Sequence, residues 1–167
     1  MEDIRIGKIG LERLADFRDL RLEALKSVPE AFGSSYEEES AFPDDVWESR
    51  IPNMLFAFYK NSLIGMIGHL ARGRIKTRHV TDVFSFYVSR QYQGLGVGSR
   101  LMEETLSSIG KSDNVRKVSL SVNCEMKTAI HLYARFGFQI SGRLIGELSI
   151  SGQLYDEFIM EKFVQKS

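Results

Sequence analysis

The sequence predicts a mixed α/β fold, with a mostly antiparallel central sheet flanked by helices. Three observations predict it: helical periodicity early in the chain, a block of strand-like runs joined by a hairpin signal, and two strand–helix units followed by a closing pair of strands. The 167 residues fit one domain of ordinary size, so residues 1–167 are expected to form a single domain.

Residues 2–7 alternate and predict a short edge strand. Leu11, Leu14, Phe17, Leu22 and Leu25 keep a roughly helical spacing, and Pro29 ends that helix. Residues 31–41 are polar and contain Gly33-Ser34-Ser35, which predicts loop with a short helical piece. Asp44 or Asp45 is a candidate cap for a helix running through Trp47 to Pro52. Residues 54–59 and 63–70 flank Lys60-Asn61-Ser62 and predict a hairpin; Gly65 and Gly68 in its second strand point to a bulge or a close backbone approach. Residues 79–88 are rich in β-branched and aromatic side chains and predict a central strand. Val97, Leu101, Met102, Thr105, Leu106 and Ile109 predict a helix ending at Gly110. A strand over 115–122, a helix over 127–136 stopped by Gly137, and two strands over 138–144 and 155–163 complete the reading, the last two joined around Ser151-Gly152.

Composition excludes several classes. Lys and Arg number 22, as do Asp and Glu, so there is no overall attraction to nucleic acid or to an anionic membrane. The single cysteine, Cys124, rules out an internal disulfide. Met1-Glu2-Asp3-Ile4-Arg5 lacks the apolar core of a signal peptide, and no apolar run approaches the roughly 18–20 residues that span a bilayer. The expectation is a cytoplasmic protein with neither nucleic acid nor membrane as partner. His69, His79 and His131 lack metal-ligand spacing with carboxylates, and no metal is expected.

The most informative stretch is Gln91–Ser99, where a strand enters a glycine-rich turn and the turn enters a helix. Helix N-termini carry unpaired N–H groups and partial positive charge, and glycines let the backbone approach a ligand closely; together they suit an anion. Arg100, one turn in, is placed to add a charge-assisted contact. The dinucleotide fingerprint needs G-x-G-x-x-G, whereas Gly94, Gly96 and Gly98 give G-x-G-x-G; a P-loop needs a Lys that Gly98-Ser99-Arg100 does not supply. A plain strand–helix turn without a ligand stays open on this feature alone.

Gln91-Tyr92-Gln93-Gly94-Leu95-Gly96 and Gln93-Gly94-Leu95-Gly96-Val97-Gly98 both fit the signature Gln/Arg-x-x-Gly-x-Gly/Ala. Further on, Ala129-Ile130-His131-Leu132-Tyr133-Ala134-Arg135-Phe136-Gly137-Phe138 fits Ala-x-x-Leu-Tyr-x-x-x-Gly-Phe. In these two motifs, and in Leu20–Leu25, Pro29–Ser34 and Gly152–Glu157, the chain resembles the GNAT superfamily of N-acetyltransferases over nearly its whole length. The resemblance implies a GNAT-like acyl-CoA N-acyltransferase fold and direct transfer of acetyl from acetyl-CoA, as co-substrate, to a primary amine. It implies pyrophosphate binding by Gln91, Gln93, Gly94, Leu95, Gly96, Val97, Gly98 and Ser99. Main-chain groups of Phe86, Tyr87 and Val88 are implied for the pantetheine arm and the developing oxyanion, with further coenzyme contacts from Asn123. Members often carry Asn three residues before the Ala of the second motif; here Met126 stands there.

The resemblance makes Tyr133 the general acid at the departing sulfur. Reference pKa values of about 10 and about 8.5 make that donation mildly uphill. Asp82, Glu30, Glu37, Glu38, Glu39 and a water chain remain alternatives for the base, each acid being first a solvated surface group. Cys124 has no His spaced to activate it and reads as a bystander. Acceptor specificity is expected from residues 28–45 and 145–155 as loops. A homodimer is a possible assembly. An acyl-CoA-binding sensor without turnover and a nucleotide-binding protein are the competing readings.

Overall fold

The computed structural model describes residues 3–164, so Glu2 of the predicted first strand lies outside the described residues. The seven-stranded sheet has the order β1-β2-β3-β4-β5-β7-β6 and comprises β1 (Ile4–Gly7), β2 (Met54–Tyr59), β3 (Ser62–Ala71), β4 (Val80–Val88), β5 (Lys117–Asn123), β6 (Gln139–Ile150) and β7 (Gln153–Phe163). The β4–β5 pair is parallel, and the pairs β1–β2, β2–β3, β5–β7 and β6–β7 are antiparallel. Among the described residues five α-helices accompany the strands: α1 (Leu14–Ser27), α2 (Tyr36–Ser40), α3 (Asp44–Arg50), α4 (Val97–Gly110) and α5 (Lys127–Arg135). Internal contacts divide the chain into two compact units, Met1–Gly68 with Ser85–Thr105 and His69–Phe84 with Leu106–Ser167.

In the first unit, α1 buries Phe17, Leu20, Arg21, Ala24 and Leu25, one stripe at helical spacing. The stripe differs from the expected one: Leu11 is exposed in a short 3-10 turn, Leu22 is only half-buried, and Arg21 turns inward. Phe17 meets Trp47 edge-on at 5.6 Å and Phe56 at 5.3 Å, inside a cluster that also holds Met54, Phe58, Met66 and Tyr87. Helix α2 starts in a capping box: Ser35 Oγ accepts from the Glu38 N–H at 3.2 Å, and Glu38 Oε2 accepts from the Ser35 N–H at 3.0 Å. Helix α3 starts differently from expectation. Pro43 occupies its cap position, and Asp44 and Asp45 lie in the first turn, where they favour the helix dipole instead of capping.

The β2–β3 hairpin turns in two residues, since Ser62 already pairs with Tyr59. Its register shifts between Ala57 and Phe58, beside Gly65. A Cβ on Gly65 would lie 3.0 Å from the Tyr87 carbonyl oxygen and 3.1 Å from Leu101 Cδ1, so glycine here answers a close approach.

In the second unit, Val118, Leu120 and Val122 of β5 are buried, as are Tyr133 of α5, Phe138 and Met160 of β7. The span 145–155 is not the expected loop. Strands β6 and β7 run through it to a turn at Ser151 and Gly152, whose φ values of 51° and 81° suit a two-residue hairpin matched to strand twist. The surplus residues are absorbed by register shifts at Ile140/Gly142 and Leu144/Leu148. Asp156 holds the second irregularity, accepting from the Gly146 N–H at 2.7 Å and from the Arg143 guanidinium. No helix among the described residues is long and apolar enough to cross a membrane.

Candidate functional site

The glycine turn lies in the first unit and is built in steps from the end of β4. Pairing of β4 with β5 covers only Val80↔Lys117 to Asp82↔Ser119. Ser85 then takes φ +53°, a conformation that interrupts a regular strand. Phe86, Tyr87 and Val88 follow it to the strand end. Ser89 is buried, and its N–H bonds the Ile64 carbonyl at 2.9 Å. A 3-10 turn over Arg90–Tyr92 holds Gln91, exposed, and places the Tyr92 ring 5.6 Å from that of Tyr59.

Gln93 Nε2 donates to the Val88 carbonyl at 2.9 Å, so this side chain locks the turn to the strand it leaves. Gly94 and Gly96 adopt φ +74° and +79°, and a Cβ built on either meets nothing within 4 Å. Leu95, between them, is 42% exposed. The first intrahelical bond of this stretch runs from the Arg100 N–H to the Gly96 carbonyl at 3.1 Å. By helix geometry the amides of Val97, Gly98 and Ser99 therefore have no carbonyl one turn behind them. Two left-handed glycines leave open space where side chains would stand, next to a helix N-terminus. This fits a pyrophosphate, with Gly94–Ser99 as its main-chain cradle. Of the three glycines, Gly94 and Gly96 take the left-handed conformation, and Gly98 is already helical. Arg100 also lines a groove of about 420 Å³ with Ile4, Arg5, Ile6, Glu103 and Glu104.

Tyr133 and Asn123 belong to the second unit. Tyr133 is 6% exposed, its ring 6.0 Å from that of Phe138. Burial pushes its phenol above the ordinary value, so the hydroxyl keeps its proton and yields it less readily than a solvated tyrosine would. Asn123 is buried, and its Oδ1 accepts from the Glu125 N–H at 2.9 Å, shaping the turn into α5. Met126 occupies the cap position of α5, with no side-chain hydrogen bond to it. Burial also raises the Cys124 thiol, which weakens it as a nucleophile.

The acids expected at the surface divide by structure. Asp82 is held by Arg72 through two bonds of 2.8 and 2.7 Å. Glu38 serves the capping box, and Glu37 lies exposed beside it. Glu30 is half-buried in a 3-10 turn over Pro29–Ala31. Glu39 departs from expectation: it is 1% exposed, bonded twice by Arg21 at 3.0 and 2.7 Å and once by Arg50 at 2.8 Å. Burial alone would raise its carboxyl, but the two guanidiniums outweigh that and hold it below the ordinary range.

Sequence reasoning missed one further group. The buried Tyr87 donates its hydroxyl to Glu23 Oε1 at 2.8 Å, with Ser27 Oγ 3.4 Å from the phenol oxygen. Burial first, and then Glu23, raise this phenol, against the lowering effect of Ser27. Glu23 and Ser27 lie on the polar side of α1, where spacing marks no function.

Comparison with known proteins gives a consistent result. The chain is 34% identical over 75 residues to the spermidine N(1)-acetyltransferase of Escherichia coli (strain K12), a match covering 45% of this chain and 40% of that relative's length. It is 25% identical over 158 residues to the L-amino acid N-acetyltransferase AaaT of the same organism, covering 90% of this chain and 95% of that one. Its fold matches that of yncA from Salmonella typhimurium, solved with its cofactor acetyl-CoA, with a TM-score of 0.82 at 14% identity over 98% of this chain and 95% of the other. The sequence profile described as "Acetyltransferase (GNAT) family" matches residues 16–138. The protein belongs to that family.

Proposed function

We propose that this protein is a cytoplasmic, single-domain N-acetyltransferase that moves the acetyl group of acetyl-CoA directly to a primary amine. One observation carries the reading: a strand end, two left-handed glycines with open space beside them, and a helix N-terminus meet at Gly94–Val97. Acetyl-CoA, when bound, supplies an activated acetyl thioester. The amides of Gly94–Ser99 hold its diphosphate, Gln93 keeps the turn in place, and Gln91 and Asn123 make further coenzyme contacts. Main-chain groups of Phe86, Tyr87 and Val88 pair with the pantetheine arm and stabilise negative charge on the reacting carbonyl. Tyr133 donates the proton to the departing sulfur; because burial raises its phenol, that donation is more uphill than from a solvated tyrosine. The interrupted strand at Ser85 and the resemblance of both motifs support these roles.

The acceptors of the relatives, spermidine and L-amino acids, are primary amines and head the substrate panel. Thermal-shift measurement against acetyl-CoA, CoA, NAD and ATP comes first; stabilisation by NAD or ATP alone overturns the reading. Thiol release over the amine panel follows; binding of acetyl-CoA without turnover on any amine favours a sensor. In the Tyr133→Phe variant, acetyl-CoA affinity is expected to stay unchanged while kcat falls about 100-fold; an unchanged kcat removes Tyr133 from the chemistry. Light scattering on the same sample tests for a homodimer.

A further inference from the structure

We propose that Glu23 is the carboxylate that receives the cationic acceptor amine, an inference that rests on the acetyl-transfer reading above. Glu23 is exposed on α1, yet one of its oxygens is fixed, because Tyr87 donates to Oε1 at 2.8 Å. The Tyr87 ring is 6% exposed and packed in the core cluster, so the phenol is a stiff strut between that core and the carboxylate. The same residue's main chain stands in Phe86–Val88, the segment assigned to the reacting thioester. A negative charge is thereby tied, through one side chain, to the strand where the chemistry is placed.

Glu23 differs from the acids that are ordered by a cation. Asp16, Glu39, Asp44, Asp82, Asp156 and Glu161 each bond an arginine or a lysine. Among the described residues no cation pairs with Glu23. Lys26, three positions on, sits instead over the Tyr36 ring at 4.0 Å. The Ser27 hydroxyl is spent on the Glu23 main-chain carbonyl. One Glu23 oxygen is thus met by a hydroxyl, and neither is met by a counter-ion. A primary ammonium supplies both the missing charge and up to three N–H donors. Its role is to bind and orient the acceptor.

The alternative is that the bond only satisfies a buried hydroxyl. Glu23→Gln separates the two, since glutamine keeps an acceptor oxygen for Tyr87 and loses the charge. Steady-state thiol release is measured with amine and acetyl-CoA varied independently, on the amine the parent uses best. The expected result is a rise of about tenfold or more in the amine KM, with the acetyl-CoA KM and the thermal midpoint unchanged. Tyr87→Phe, which frees the carboxylate to wander, should raise the amine KM several-fold and add nothing to Glu23→Gln in the double variant. An amine KM within twofold of the parent in Glu23→Gln overturns the assignment of Glu23 and leaves the acetyl-transfer reading standing. A parent that binds acetyl-CoA yet releases no thiol with any amine of the panel overturns both.

Discussion

At the start of α2 the unpaired helix amides are met by the protein itself: Ser35 and Glu38 cap each other, and Glu39 in the same helix is bonded by Arg21 and Arg50. At the start of α4 the two residues in left-handed conformation, Gly94 and Gly96, offer no side chain for that part. A Cβ at either would find open space. Both segments have the same unpaired donors. A helix start closed by its own residues serves the fold, whereas one left bare beside a rigid strand end is available to an outside anion.

The contrast breaks hardest at Glu39. Glu39→Ala leaves the buried Arg21 without its counter-charge and should cost about 3–5 kcal/mol in urea unfolding. The pH dependence has a definite sign. Because the folded carboxyl is held below its ordinary value of 4.5, the pair's contribution is complete above that pH and is lost as pH falls through the lowered folded value. The parent should therefore lose more stability on acidification than the variant does. On the α4 side, Gly96→Val puts a β-branched residue at φ +79° and fills the open space there. Acetyl-CoA affinity by calorimetry should fall about 30-fold, roughly 2 kcal/mol; an unchanged affinity would empty the turn of its role. The smallest effect sharpens the contrast: Ser35→Ala should cost about 1 kcal/mol of stability and leave acetyl-CoA affinity untouched.

Much of this contrast was legible in the sequence where local chemistry decides structure. The glycine turn, the stripe of α4 and the Ser151-Gly152 hairpin follow from conformational preferences that a few adjacent residues express. The inward turn of Arg21 and the burial of Glu39 do not, because each depends on a partner 18 positions away. The length of β6 was missed for another reason: exposure alternates through residues 141–150, but Ile145 stands on the exposed side and Gly146 on the covered one, so the apolar pattern does not follow the strand. Glu23 carries no local signal at all, since its importance comes from a bond to Tyr87, 64 positions along the chain. Ser35-x-x-Glu38 was a readable capping box, overlooked among the three glutamates that follow Tyr36.

Gly65 has a mechanical consequence. It belongs to β3, a strand given no part in binding, yet the space its missing side chain leaves separates the Tyr87 carbonyl from Leu101 of α4. Any added methyl would act as a wedge, at 3.0 Å from one and 3.1 Å from the other, forcing a shift of a few tenths of an ångström. The spacing between the strand assigned to the thioester and the helix assigned to the diphosphate is therefore gauged by a single hydrogen atom on a neighbour that touches neither ligand group.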